Sequence, residues 1–317
     1  MRKLAALLPL SLLMCAPLGF AQRAIPDDNL AYPVLISLSD CTNANPVQGT
    51  GFFLSTSSEV YLVTARHVLF NEVVRLAPNQ PRPLLCKKAE LRSYSKNPKE
   101  TQLNIFSVDL QVLSQAGKVK AHPVHDVAVV QVGIVTAKIP APAPAVPAPA
   151  PNAPIARQVG SMDCLPGVVF GQIAPSGVLG VNMDTVEKFD QVLTANDIYV
   201  LGYPSSIGLQ QAPQQAPQID YNVPLLRKGV IAGTNNANKT IVLDCMTFHG
   251  NSGGPVLEVI RLDYATQFRV VGVVTQYVPV AETWINTTQS YGNMQLYNSG
   301  YSIAEPMDAV LDLLASH

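Results

Sequence analysis

The segment Gly250-Asn251-Ser252-Gly253-Gly254-Pro255 sets one hydroxyl among glycines. Glycines let a backbone turn tightly around a serine and let a substrate come close, so the N–H groups of Gly250 and Ser252 can point at one oxygen. Thr64-Ala65-Arg66-His67-Val68 supplies an imidazole directly after the apolar stretch 61–64. His125-Asp126-Val127-Ala128-Val129-Val130 supplies a carboxylate at the head of another apolar stretch. Burying an aspartate there is costly unless it is paired, and His67 would be a partner. Hydrolysis of an amide by a serine needs these three groups: a hydroxyl to attack, an imidazole to take its proton, and a carboxylate to hold the imidazole in the right tautomer.

Other chemistries fit less well. Gly250 to Gly254 also satisfies GxSxG, the nucleophile elbow of α/β-hydrolases, but that fold needs its acid and histidine after the serine. The only later histidine is His317, the last residue. His122 and His125 form an HxxH without a third clustered ligand, and no CxxC is present. No metal and no cofactor is expected.

The elements that must position these residues are short strands. Before residue 139 the candidates are 34–38, 51–54, 61–64, 108–113 and 127–132. After residue 156 they are 168–173, 198–201, 230–232, 240–243, 255–260 and 269–278. All are rich in Val, Ile, Tyr and Phe and are separated by turn residues. Helical periodicity appears at the end, where Met307, Val310, Leu311 and Leu314 form a stripe with Pro306 at the expected first turn. Between the two sets lies IPAPAPAVPAPAPNAP, which holds a dense share of the chain's 26 prolines. Alternating Pro and Ala favours polyproline II, a semi-rigid strap. The division read from this pattern is a leader at 1–21, a β half at 22–138 carrying His67 and Asp126, a linker at 139–156, and a β half at 157–317 carrying Ser252 and the terminal helix.

The leader follows from Arg2-Lys3, an apolar run to Phe20, and small residues at Gly19 and Ala21. This is the form of a secretory signal, with cleavage after Ala21. Pro9 and Pro17 interrupt the run, and no later stretch is apolar enough to span a bilayer. A secreted or periplasmic location is expected, with no membrane contact after signal removal. Four cysteines then remain, and an even count in an exported chain points to two disulfides. Three pairings exist. Cys41–Cys86 and Cys164–Cys245 are preferred because each stays within one half. With 21 basic against 22 acidic residues and 7% aromatics, the chain carries no footprint for nucleic acid.

Together, GNSGGP, TARHV and HDVAVV resemble the trypsin/chymotrypsin-like serine proteases, and more closely their bacterial trypsin-like peptidase relatives. The order His, Asp, Ser matches. Tyr199 to Pro204 and Leu226 to Gly229 also look like family strands. The resemblance covers roughly 34–314. It implies an all-β fold of two six-stranded antiparallel β-barrels with a C-terminal α-helix, and an active site in the cleft between the barrels. It makes Ser252 the nucleophile, His67 the general base and then acid, and Asp126 the residue that orients His67. The amides of Gly250 and Ser252 become the oxyanion hole, and Gly253 and Gly254 serve the turn.

Departures bear on specificity. Asn251 stands where many animal members have the aspartate that receives a freed N-terminal amine, so no such activation switch is implied. Met246 stands where trypsin has the pocket aspartate, and Thr247 follows, so a strong preference for Arg or Lys is not supported. Val274-Thr275-Gln276-Tyr277 resembles the pocket wall, with Tyr277 in place of a common glycine, and His249 is expected at the rim. An apolar or small preference is the reading, with Thr247 and His249 favouring an acidic residue as the variant of it.

The implied function is an exported serine endopeptidase acting through an acyl-enzyme on a protein or peptide substrate. The alternative is a catalytically inactive protease-like binding module; protease folds can be reused that way, but an intact set of three residue types argues against it. A protonated imidazole cannot act as a base, so peptidase activity should rise as pH is raised through neutrality. A pH–rate profile flat across that range would remove His67 from the role.

Overall fold

The computed structural model describes residues 31–41, 47–72, 82–97, 99–136, 156–158, 162–204, 220, 223–262, 265–289 and 291–316. The expected leader, and the expected strap up to residue 155, lie outside the described residues.

The first sheet is built from β1 (Pro33–Cys41), β2 (Val47–Ser55), β3 (Glu59–Ala65), β4 (Cys86–Ser93), β5 (Asn104–Asp109), β6 (Val119–Ala121), β7 (Val127–Val135), β8 (Ala156–Gln158), β9 (Met162–Cys164), β10 (Val168–Gln172) and β11 (Leu179–Asn182). Its neighbours run β10-β5-β4-β1-β2-β3-β7-β6, with β11 beside β2 and β8, and β9 beside β7. Two helices interrupt it, α1 (Arg66–Leu69) and α2 (Leu110–Gln115). The second sheet closes as a six-stranded barrel. Its strands are β12 (Asp197–Gly202), β13 (Leu225–Asn235), β14 (Thr240–Asp244), β15 (Pro255–Leu262), β16 (Ala265–Asn286) and β17 (Tyr291–Pro306), in the order β12-β13-β14-β17-β16-β15. A final helix, α3 (Met307–Ala315), follows with Pro306 at its N-cap, one residue earlier than expected.

The period-two geometry of strands explains the arrangement. In β7, Ala128, Val130 and Val132 point into the core of the first sheet, while Val127 and Val129 point into a shared core between the two sheets. In β3, Val60 and Leu62 take the first direction and Tyr61 and Val63 the second. The second barrel mirrors this: Ile198 and Val200 face its own interior, and Tyr199 and Leu201 face the shared core. A strand buried on both faces reads as a continuous apolar run, and that is why 127–132 shows no polar alternation. Met307, Val310 and Leu313 of α3 fill the shared core as well. The result is the chymotrypsin-like double β-barrel expected from the sequence, with short strands extending the first sheet.

Three expectations are corrected. The stretch 157–182 was assigned to the second half, yet β8 to β11 all bond within the first sheet. The strap therefore joins β7 to β8, two strands of one sheet. The crossing to the second barrel comes later, between β11 and β12. For the same reason the Cys164–Cys245 pairing fails. Cys41 and Cys86 stand opposite each other across β1 and β4 and are bonded, whereas Cys164 and Cys245 are free thiols. Cys164 packs on the core of the first sheet and Cys245 lies in the core of the second barrel.

Burial pushes both free thiols up to about 11. Alkylation of the native protein at pH 8 should accordingly be slow at Cys164 and Cys245. Denatured, non-reduced protein should label at both and at neither Cys41 nor Cys86. Chain-entropy reasoning for the bonded pair predicts that Cys41→Ser with Cys86→Ser lowers stability by about 2–4 kcal/mol in denaturant titration.

Candidate active site

Ser252 sits on a turn that the rest of the molecule holds tightly. Asn251 Oδ1 accepts from the Phe248 N–H at 3.1 Å, and the Asn251 N–H donates back to the Phe248 carbonyl at 3.0 Å. The next two amides are also used, Gly253 donating to the Val274 carbonyl at 2.7 Å and Gly254 to the Asn251 carbonyl at 2.9 Å. Among the described residues, the N–H groups of Gly250 and Ser252 meet no acceptor. Two unused amides flanking Asn251 suit an anion held between them. Gly253 has φ +91°, and a Cβ there would lie 1.9 Å from the Thr50 carbonyl oxygen. No other residue type fits.

The turn is anchored to the first sheet by Thr50. Its Oγ1 donates to the Gly250 carbonyl at 2.5 Å and accepts from the Tyr203 N–H at 2.9 Å. Its own N–H donates to the Ser252 carbonyl at 2.9 Å. Thr64 Oγ1 in turn donates to the Thr50 carbonyl at 2.7 Å.

His67 lies in α1, directly after β3. Its N–H donates to Asp126 Oδ1 at 3.0 Å, and its Nδ1 is 2.6 Å from Asp126 Oδ2. An ionised carboxylate only accepts, so Nδ1 carries the proton and Nε2 is left as the basic nitrogen. Ser252 Oγ donates to the Thr275 carbonyl at 3.1 Å. The hydroxyl must rotate from that acceptor before it can meet His67.

The loop that carries Asp126 has supports that the motifs did not disclose. Arg66 Nη1 donates to the carbonyls of His122 and His125 at 2.6 and 2.9 Å, and its Nε donates to Glu72 at 2.8 Å. Glu305, from β17 of the other barrel, lies 2.6 Å from His125 Nδ1 and accepts from the Asp126 N–H at 3.4 Å. His122 Nδ1 accepts from the N–H groups of Val124 and His125. The HxxH pair therefore shapes a turn, and among the described residues no group of three metal-ligating side chains occurs. Arg66 was visible in TARHV as a cation beside the histidine. Glu305, 179 positions from Asp126, left no local trace.

Residues 49–261 match the trypsin-like peptidase domain family. The chain belongs to that family. No curated protein matches it by sequence. Among solved structures, an HtrA-type protease AlgW with tripeptide is 13% identical, covering 91% of this chain and 60% of its own, at a TM-score of 0.44. The chain thus spans about 60% of that relative's length. The thermostable serine protease AL20 from an extremophilic microorganism is 10% identical, covering 90% and 96%, at a TM-score of 0.46. The protease Anisep from Arthrobacter nicotinovorans is 13% identical, covering 90% and 96%, at a TM-score of 0.44.

The cleft has a volume of about 280 Å³ and is lined by His67, Asp126 and Ser252 together with Thr247, Phe248, His249 and the strand segment 274–277. Thr247, His249, Thr275 and Tyr277 line this cleft. Met246 does not: it is exposed and lines a separate depression with Arg227, Lys228 and Gly300. Phe248 was missed. The Thr247 hydroxyl is buried 2.7 Å from Ser302 Oγ, and the exposed His249 ring meets Tyr277 edge-on at 5.6 Å. Among the described residues of the lining, Asp126 is the only carboxylate.

Burial, and next the neighbouring His125, push His122 below the ordinary histidine range. Asp312 opposes this and Arg66 adds to it. The unfolded chain then takes up the proton at a higher pH than the folded one. Stability is therefore full above the ordinary histidine value of about 6.5 and falls as pH drops below it. Melting temperature should decline from pH 7 to pH 5, and His122→Asn should flatten that decline.

Proposed function

We propose that the chain is an exported serine endopeptidase in which His67, Asp126 and Ser252 form the catalytic triad. The observation that carries this reading is the His67–Asp126 contact of 2.6 Å in the same cleft as Ser252. These residues come from α1, the loop before β7 and the turn before β15, so no local constraint brings them together.

In this reading a peptide carbonyl enters with its oxygen between the amides of Gly250 and Ser252. Ser252 Oγ leaves the Thr275 carbonyl and attacks the carbonyl carbon while His67 Nε2 takes its proton. Asp126 holds the Nδ1–H and stabilises the imidazolium without taking that proton. As the tetrahedral adduct collapses, the C–N bond breaks and the leaving amine takes the proton from Nε2. An acyl-enzyme ester remains on Ser252. Water then attacks that ester by the same route, with His67 again as base, and frees the acid and the Ser252 hydroxyl.

The pocket chemistry supports an apolar or small residue before the scissile bond. Thr247 already spends its hydroxyl on Ser302, and Val274 and Phe248 are apolar. Export is supported by the leader pattern and by the Cys41–Cys86 bond, since disulfides persist in oxidising compartments. No helix among the described residues is long and apolar enough to cross a membrane.

A fluorophosphonate probe should label the wild type and fail on Ser252→Ala. His67→Ala should slow peptide hydrolysis by roughly 10⁴-fold or more. Equal labelling of wild type and Ser252→Ala, or none under conditions where a control protease reacts, would favour the inactive binding module.

A further inference from the structure

β16 and β17 outrun the barrel they close. β15 stops pairing with β16 at Val273, and β14 pairs with β17 no farther out than Tyr301. From Pro279↔Asn298 to Asn286↔Tyr291 the two strands pair only with each other, so they leave the barrel as a free ribbon. A two-stranded ribbon alone is marginal in water. It carries apolar side chains on both faces, with Glu282, Asn293 and Gln295 among the residues of one of them. Val280, Trp284 and Tyr297 occupy one side; Ile285, Met294 and Leu296 occupy the other. All six are exposed, Trp284 at 60% and Ile285 at 73%. Trp284 is the chain's single tryptophan, and Glu282 is the only charged residue between 278 and 301.

The ribbon is continuous with the cleft. β16 lines the cleft from Val274 to Tyr277 and then runs outward. Among the described residues its edge away from β17 has no strand partner from Thr275 onward. Ser252 Oγ lies 3.1 Å from the Thr275 carbonyl, so in the peptidase reading the carbonyl that it attacks lies against this strand, and the substrate chain attached to it can run beside the same edge. A third strand added there would send its side chains alternately to both faces, next to Trp284 on one and Ile285 on the other. That accounts for apolar side chains on both sides of the ribbon. From Tyr277 to Ile285 the edge is about 26 Å long at ~3.3 Å per residue.

We propose that the ribbon beyond Pro279 is a docking arm for the substrate, binding an extended, uncharged, apolar polypeptide segment upstream of the scissile bond. The arm rests on the peptidase reading above and narrows its substrate class to unfolded or unstructured chains with apolar stretches. Near absence of charge makes this recognition insensitive to salt.

The test uses the full chain and a short peptide chosen from a random pool for cleavage. The same peptide is then extended upstream by eight residues rich in Leu and Phe, or by eight of Gly and Ser. Wild type should cleave the Leu/Phe form with kcat/KM about tenfold above the other two, mainly through KM, as expected when a few apolar anchors dominate binding. Two double variants, Trp284→Ser with Tyr297→Ser and Ile285→Ser with Met294→Ser, should lose most of that advantage while cleaving the short peptide at the wild-type rate. These side chains are outside the core, so the short peptide also reports an intact fold. No advantage in the wild type, or an undiminished one in both variants, overturns the arm while leaving the peptidase reading standing. No cleavage of any peptide overturns both. An undiminished advantage in variants that turn a dimer into a monomer on sedimentation assigns the ribbon to a second copy of the chain.

Discussion

The two barrels make one site because Thr50 ties them together. A single residue of β2 donates to Gly250, accepts from Tyr203, donates its N–H to Ser252, and offers its carbonyl to Thr64 and to the close approach of Gly253. Thr50 is fully buried. A buried hydrogen bond adds only about 0.5–1.5 kcal/mol net, but a buried partner left unpaired costs about 1–3 kcal/mol. The interaction therefore works as a constraint more than as a source of stability. The serine turn has one low-energy placement against the sheet that carries His67, and the unused amides of Gly250 and Ser252 point where that placement sends them.

A second tie works from the opposite direction. Glu305 reaches from β17 of the second barrel to His125 and the Asp126 N–H, beside the clamp that Arg66 makes on the same loop. Each barrel thus reaches across to steady the other's side of the cleft. The shared apolar core supplies the contact area, and these few polar bonds set the register within it. Apolar packing is not directional, so it could not by itself align Nδ1 and Oδ2 to 2.6 Å.

The proline strap has a different meaning from the one its composition suggests. A stiff linker between two β halves is the natural reading of a Pro/Ala run between strand-rich stretches. The strands on either side of it both belong to the first sheet, with β8 held beside β11 and β11 beside β2. The strap is an insertion within a barrel, and the barrels are joined by an ordinary connection between β11 and β12. Long insertions between strands cost little loop-closure entropy, because the cost grows only with the logarithm of length.

By itself the sequence pointed to His67, Asp126 and Ser252 in that order, and to the glycine turn around Ser252, the all-β character and the terminal helix. These depend on local chain geometry: tight turns need Gly250 and Gly253, strands show period two, and the helix shows its stripe. Tertiary structure alone decided that 156–182 joins the first sheet, that Cys164 stays away from Cys245, that Met246 turns out of the cleft, and that Glu305 supports Asp126. It also decided that β16 and β17 run past the barrel as an exposed ribbon. The physical reason is the same each time. Backbone N–H and C=O groups are identical along every strand, so an apolar run carries no mark of which edge it will pair with. That choice is made by the packing of the whole chain.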